Sequence, residues 1–158
     1  MRRILQGYYR LPGAGDGWIA AGLLAALRLW LAWPFFHTGM LRVERWSTQT
    51  FLFGDIHPLP GVDPWIAALL TTTAELTLPV LLAVGLAGRL AGLGLAVMAA
   101  TILLVVGQTP QGLENGISQP AEQIPWILAG LVIALAGPGR LALDRVIAAR
   151  LLPARVRS

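Results

Sequence analysis

A chain of 158 residues suits one domain, but 56% hydrophobic against 13% charged residues, with a mean hydropathy of +0.66, excludes an ordinary water-soluble core. Its twelve basic residues are all arginine and exceed eight acidic ones, giving a net charge of +4; they gather in Met1–Arg10 and Arg140–Arg157, outside the apolar runs. That placement is cytoplasmic charge on a membrane protein rather than a nucleic-acid surface, and the absence of cysteine excludes a disulfide, an iron–sulfur cluster or a thiol relay within the chain.

Residues 1–17 form a cytoplasmic N-terminal segment in this reading. Trp18–Phe36 is too long for a signal-peptide core, lacks a small-residue cleavage site and precedes three more apolar runs, so it is expected to stay as a helix. Helix one is placed at about Trp18 to Arg42, helix two at Trp65 to Leu86, helix three at Leu90 to Val106 and helix four at Ile124 to Ala136. Each approaches the roughly 20 residues that cross a bilayer, helix four only if Ala121–Gln123 join it. The expected fold is therefore all-α, a four-transmembrane-helix bundle over residues 18–137, followed by a basic cytoplasmic tail at 138–158.

The connections set the expected orientation. Arg89 lies between helices two and three, whereas Gln108–Gln123 carries Glu114 and Glu122 but no basic residue, so the second faces outward. Both termini are then cytoplasmic, as an even number of spans requires. Trp18, Trp46, Trp65 and Trp126 fall near helix ends, as interfacial anchors or as packing residues. The outward loop 46–64 holds Phe51, Leu52, Phe53, Pro58, Pro60 and Gly61, too apolar for a solvated linker, and is expected to fold back onto the bundle mouth. The tail Arg140–Arg157 mixes arginine with aliphatic residues and is expected to lie as an amphipathic helix on the inner leaflet.

Arg28 is ten residues beyond Trp18 and Glu75 ten beyond Trp65, which by helical rise puts both about 15 Å deep, at the midplane. A charge there costs at least about 2.5–3.5 kcal/mol, so the two are expected to face each other inside the bundle. They are either an ion pair fixing helix register or a polar centre that holds a ligand or relays protons. Pro79 cannot donate to the carbonyl of Glu75, and Pro34 leaves that of Trp30 free in the same way, either opening a polar site or merely kinking the helices. Arg28, Ala32, Phe35, Gly39 and Arg42 share one face of helix one, and Gly88, Gly92, Ala96 and Ala100 form a small-residue packing stripe on helix three. Glu122, with Gln123 and Trp126, opens helix four, where it either caps the helix or lines a cavity mouth. His37 and His57 have no ligand-spaced partner, so no metal or haem site is expected; no phosphate loop or paired nucleophile supports a hydrolase.

In order along the chain these residues resemble the DoxX family of bacterial membrane proteins. Arg28, Phe35, Gly39 and Arg42 match its first-helix pattern; Glu75 followed by Leu81, Leu82, Gly85, Leu86 and Arg89 matches its second; and Gly137-Pro-Gly-Arg-Leu-Ala-Leu-Asp144 resembles its closing Gly-Pro-Gly-x-x-Ser-x-Asp. Arg42 stands where the family usually has lysine, Pro79 where glycine is common and Ala142 where serine is common; arginine at 42 precludes any role for a neutral amine. The resemblance covers about Gly17 to Asp144. It implies a multi-pass protein of the bacterial cytoplasmic (inner) membrane and, more loosely, a membrane subunit of a quinone-linked or thiol and oxidative-stress redox system, possessing a site near Arg28, Glu75, Trp30 and Trp33 for a quinone or other lipophilic ligand held non-covalently. Arg42 and Glu122 complete the candidate ligand-binding or proton-relay residues; no catalytic residue and no metal ligand is assigned. A redox partner protein and a homo-oligomer stay open beside the lipid bilayer as partners, nucleic acid being excluded. The alternative is a non-catalytic scaffold or transport-related protein that recruits an extracytoplasmic partner through the outer loop.

Overall fold

The computed structural model describes residues 17–117 and 119–151. The expected N-terminal segment, save Gly17, and the last part of the basic tail lie outside the described residues. Five helices carry the fold: α1, Trp18–Glu44; α2, Pro64–Val84; α3, Gly88–Leu104; α4, Pro120–Ala136; and α5, Leu143–Leu151. Short helical turns fill Trp46–Ile56 and Val106–Glu114, and no strand occurs among the described residues. Among the described residues three segments are long and apolar enough to cross a membrane: Trp18–Glu44, Pro64–Val84 and Gly88–Gln108. The fourth apolar helix, α4, does take in Ala121–Gln123 but has 17 residues, short of that length.

Helix ends follow local chemistry. Asp63 caps α2 by accepting from the amides of Trp65 and Ile66 at 3.0 and 3.2 Å, and Pro64 occupies the first turn, where its missing N–H costs nothing. Gly85, at φ 72°, ends α2 two residues before the expected stop, with the amide of Leu86 returning to the carbonyl of Leu81 at 2.9 Å. α3 starts two residues earlier than expected, although Ala87 at its head sits at φ 49° and offers no side-chain cap. The cap comes from 57 residues away: Asp144 accepts from the amides of Ala87 and Gly88 at 2.9 Å each. A carboxylate at a helix N-terminus satisfies orphan N–H groups and complements the dipole.

α1 to α4 pack in a ring, with the α3–α4 and α1–α2 interfaces the most extensive. α3 and α4 approach through glycines: a Cβ on Gly130 would stand 2.5 Å from the Gly92 carbonyl oxygen, and one on Gly92 would stand 3.0 Å from that of Gly130. The expected stripe is thus buried at Gly88, Gly92 and Ala96, but at its fourth place Ala99 is buried and Ala100 only partly. The middle of the ring is dry, filled by Leu31, Phe35, Leu82, Leu95 and Ile133. Outside, Ile19, Trp33 and Leu135 are each at least 70% exposed, the surface of a protein whose solvent is lipid.

The segment after α1 does fold back. Phe53 is buried against Ala67 and Ala68 at the start of α2, with Leu59 and Val62 packed around it. This defines a loop end of the bundle; the opposite, tail end carries Gly85, Arg89 and Asp144. There the Arg89 guanidinium donates to the carbonyls of Ala134 and Leu135 at 2.8 and 2.6 Å, closing the C-terminus of α4.

Candidate functional site

Gly39 fixes the register of α1 against α2, because a Cβ there would lie 3.0 Å from the Glu75 Cβ and 3.0 Å from Leu76. With Gly39 opposite Glu75, counting back along antiparallel helices puts Arg28 opposite the end of α2, and its guanidinium indeed presses on Gly85. Arg28 and Glu75 are therefore not brought together: ten residues of α2, roughly 15 Å of rise, separate their levels. α1 begins ten residues before Arg28, so Trp18 and Trp65 are not level markers for the same bilayer depth. Each charge also follows its Cβ vector toward its own helix N-terminus, Arg28 to the tail end and Glu75 to the loop end.

The partner of Glu75 is Arg42. Arg42 Nε lies 2.7 Å from Glu75 Oε2, with the two side chains 13% and 4% exposed. Arg42 Nη1 donates at 3.2 Å to Gln49 Oε1, and Gln49 Nε2 donates to the Arg45 carbonyl at 3.0 Å, so the first turn of the folded-back segment holds the cation from above. Phe53 supplies its ring 4.8 Å from the Arg42 guanidinium carbon. His57, half-buried against Phe53, is pushed down to about 4, chiefly by burial and then by the positive charge of Arg42, and is neutral at pH 7.

Two further polar groups belong to this level. Thr72 stands one turn from Glu75 on the same inward stripe of α2 and is 4% exposed; Gln123 opens the inward stripe of α4 and is also 4% exposed. Below them Phe35 and Trp126 meet edge to face at 5.3 Å. Gln123 is one turn beyond Trp126, and Gly39 one turn beyond Phe35, so Gln123 and Glu75 share a level above that aromatic floor. Thr72 Oγ1 and Gln123 Oε1 have no hydrogen-bond partner. The sequence placed Gln123 only as a neighbour of Glu122; its place on the buried stripe with Ala129, Gly130 and Ile133 was the available signal.

The remaining expected residues lie elsewhere. Trp30 and Trp33 are 50% and 70% exposed, on the outer surface of α1. Trp33 stacks on His37 and, with Ala32, Phe36, Pro79 and Val80, lines an apolar groove of about 320 Å³ between α1 and α2. Glu122 is exposed in the first turn of α4, where Gln119 occupies the cap position with no side-chain bond. The carbonyl of Glu75 freed by Pro79 points along α2 toward the tail end, away from the carboxylate. Arg28, 3% exposed, donates through Nη2 to the Leu141 carbonyl at 2.9 Å, while its Nε and Nη1 find no partner. The polar groups thus form two layers, one at each end, separated by the dry middle of the ring. No group of three or more histidine or acidic side chains suited to a metal occurs among the described residues.

A comparison with protein-family models matched the DoxX model to residues 23–108, more than half of the chain. No curated protein and no solved structure matched. The match takes in Arg28, Gly39, Arg42, Glu75 and Arg89, and the chain belongs to the DoxX family.

Proposed function

We propose that the chain is a four-span protein of the bacterial cytoplasmic membrane, both termini inside, that serves as the membrane subunit of a redox system and holds a lipophilic, quinone-like ligand at the Arg42–Glu75 layer. The observation that carries this reading is the buried ion pair itself: charges are kept out of lipid unless something uses or compensates them, and this pair sits under a folded segment beside further polar groups. Arg42 would polarise a ligand carbonyl, and Glu75 would take or give its proton. Photoaffinity labelling with a quinone analogue should mark the loop-end halves of α1 and α2; labelling confined to other helices would contradict the reading. Because the chain contains no cysteine, the single-cysteine variants Gly54→Cys and Leu141→Cys report orientation directly. Gly54→Cys should react with an impermeant maleimide from outside intact cells, Leu141→Cys only after lysis.

The second reading, a non-catalytic scaffold, is favoured by one observation. Phe51, in the folded-back segment, is 60% exposed and offers an apolar contact to an extracytoplasmic partner. Under it, replacing Phe51 by serine abolishes partner capture while ligand content stays unchanged.

A further inference from the structure

His37 stands on the outer side of α1, far from either end of the span. With Gly39 opposite Glu75, two residues back along α1 put His37 level with Thr77 of α2, which is seven residues, or about 10 Å, from the Val84 end of that helix and farther from its Pro64 end. The His37 ring is exposed, stacks on Trp33 at 6.2 Å and makes no hydrogen bond among the described residues. Histidines inside a span almost always face protein or a wet cavity, because hydrocarbon offers neither donor nor acceptor. The bundle interior does not receive it, since Leu31, Phe35 and Gly39 form the inward face of α1 at this depth.

The same side of α1 carries a knob and a groove at one depth. Trp33, 70% exposed, lies one turn below His37, and beside it runs the apolar groove of about 320 Å³ that Leu29, Phe36, Val80 and Ala83 help to line. By the same register Trp33 is level with Leu81, between the Val80 and Ala83 that flank the groove. A two-fold axis along the membrane normal relates two copies of like topology and leaves each residue at its own depth. Each Trp33 then meets the groove of the other copy, and the two His37 rings meet one turn above. An uncharged imidazole has one donor and one acceptor, so two of them complete a hydrogen bond whichever ring nitrogen carries the proton. A lipid chain fits the groove but offers nothing to His37; a second copy answers both. We infer that this side of α1 is a homodimer face, in which each Trp33 enters the partner's groove and the two His37 side chains hydrogen-bond across the axis.

The test uses the full chain in lipid vesicles. With a fluorescent tag at the C-terminus, single-molecule photobleaching should count two copies per spot, and dilution in lipid should give a monomer–dimer constant that His37→Leu weakens by about three- to thirtyfold, the worth of one hydrogen bond between helices in lipid. Trp33→Ala should leave single copies, and His37→Gln, which keeps a donor and an acceptor, should stay near wild type. Both side chains lie outside the bundle core, so none of the variants should lower the melting temperature of the monomer in detergent. Because the chain contains no cysteine, Met40→Cys, one turn beyond His37, should form a disulfide-linked dimer under mild oxidation in membranes, and Val97→Cys, exposed on α3 across the ring, should not. Copies that stay single at every density, the groove then holding lipid alone, overturn the inference. Dimers that survive Trp33→Ala and His37→Leu unchanged, or that cross-link at Val97→Cys instead of Met40→Cys, overturn it as well.

Discussion

Arg42 reaches Glu75 at 2.7 Å from the last turn of α1, and Gly39 makes the contact possible by letting α2 approach within 3.0 Å of where a side chain would begin. Removing one partner strands the other charge in a low-dielectric layer, whereas removing both replaces the layer by apolar packing. Glu75→Leu alone should destabilise the folded state by about 3–5 kcal/mol, and the double variant Arg42→Met with Glu75→Leu by much less. Thermal unfolding in detergent of the wild type, two singles and the double checks this; a double variant as unstable as the sum of the singles contradicts it.

Asp144 is the N-terminal cap of α3, supplied from beyond α4. Asp144→Ala strips two charge-assisted bonds from the Ala87 and Gly88 amides and should cost about 2–4 kcal/mol. Hydrogen exchange should show the loss first in the opening turn of α3.

Gly130 and Gly92 put backbone against backbone. Gly130→Leu should separate α3 from α4 and cost at least about 1–3 kcal/mol, while Gly22→Ala, where nothing lies within 4 Å, should be close to neutral or mildly stabilising. A melting series of the two variants distinguishes a packing constraint from a general intolerance of glycine replacement.

His57 gives the folded-back segment a pH dependence. Its folded value of about 4 lies below the ordinary 6.5, so protonation favours the open form. The stabilisation is complete above about pH 6.5 and is lost progressively as the pH falls toward 4. Exchange protection over residues 49–57 should decline through that window in the wild type and stay flat in His57→Phe.

Much of the fold was legible because lipid imposes long apolar runs and because turn chemistry is local: Asp63-Pro64 and Gly85 mark their helix ends in the sequence itself. The pairing of charges was not. Depth counted from Trp18 and Trp65 assumed level helix ends, but α1 runs ten residues past the level of Gly85 and so carries Arg28 to the tail end. The sequence held a sounder guide in Gly39, whose lack of a side chain permits close approach and sets the register. Trp30 and Trp33 were misplaced for a related reason: they follow Arg28 in sequence but turn away from its face, toward lipid. Asp144 fell within the resemblance without a physical role, although the absence of any capping side chain at Ala87 calls for a distant acceptor.

Native mass spectrometry of the protein released from its own membranes tests most directly whether the Arg42–Glu75 layer holds a lipophilic ligand. The expected result is a stoichiometric adduct that survives gentle activation and disappears in the folded Arg42→Met, Glu75→Leu double variant. A wild-type protein carrying no such adduct, or an adduct retained at equal occupancy in the double variant, would contradict it.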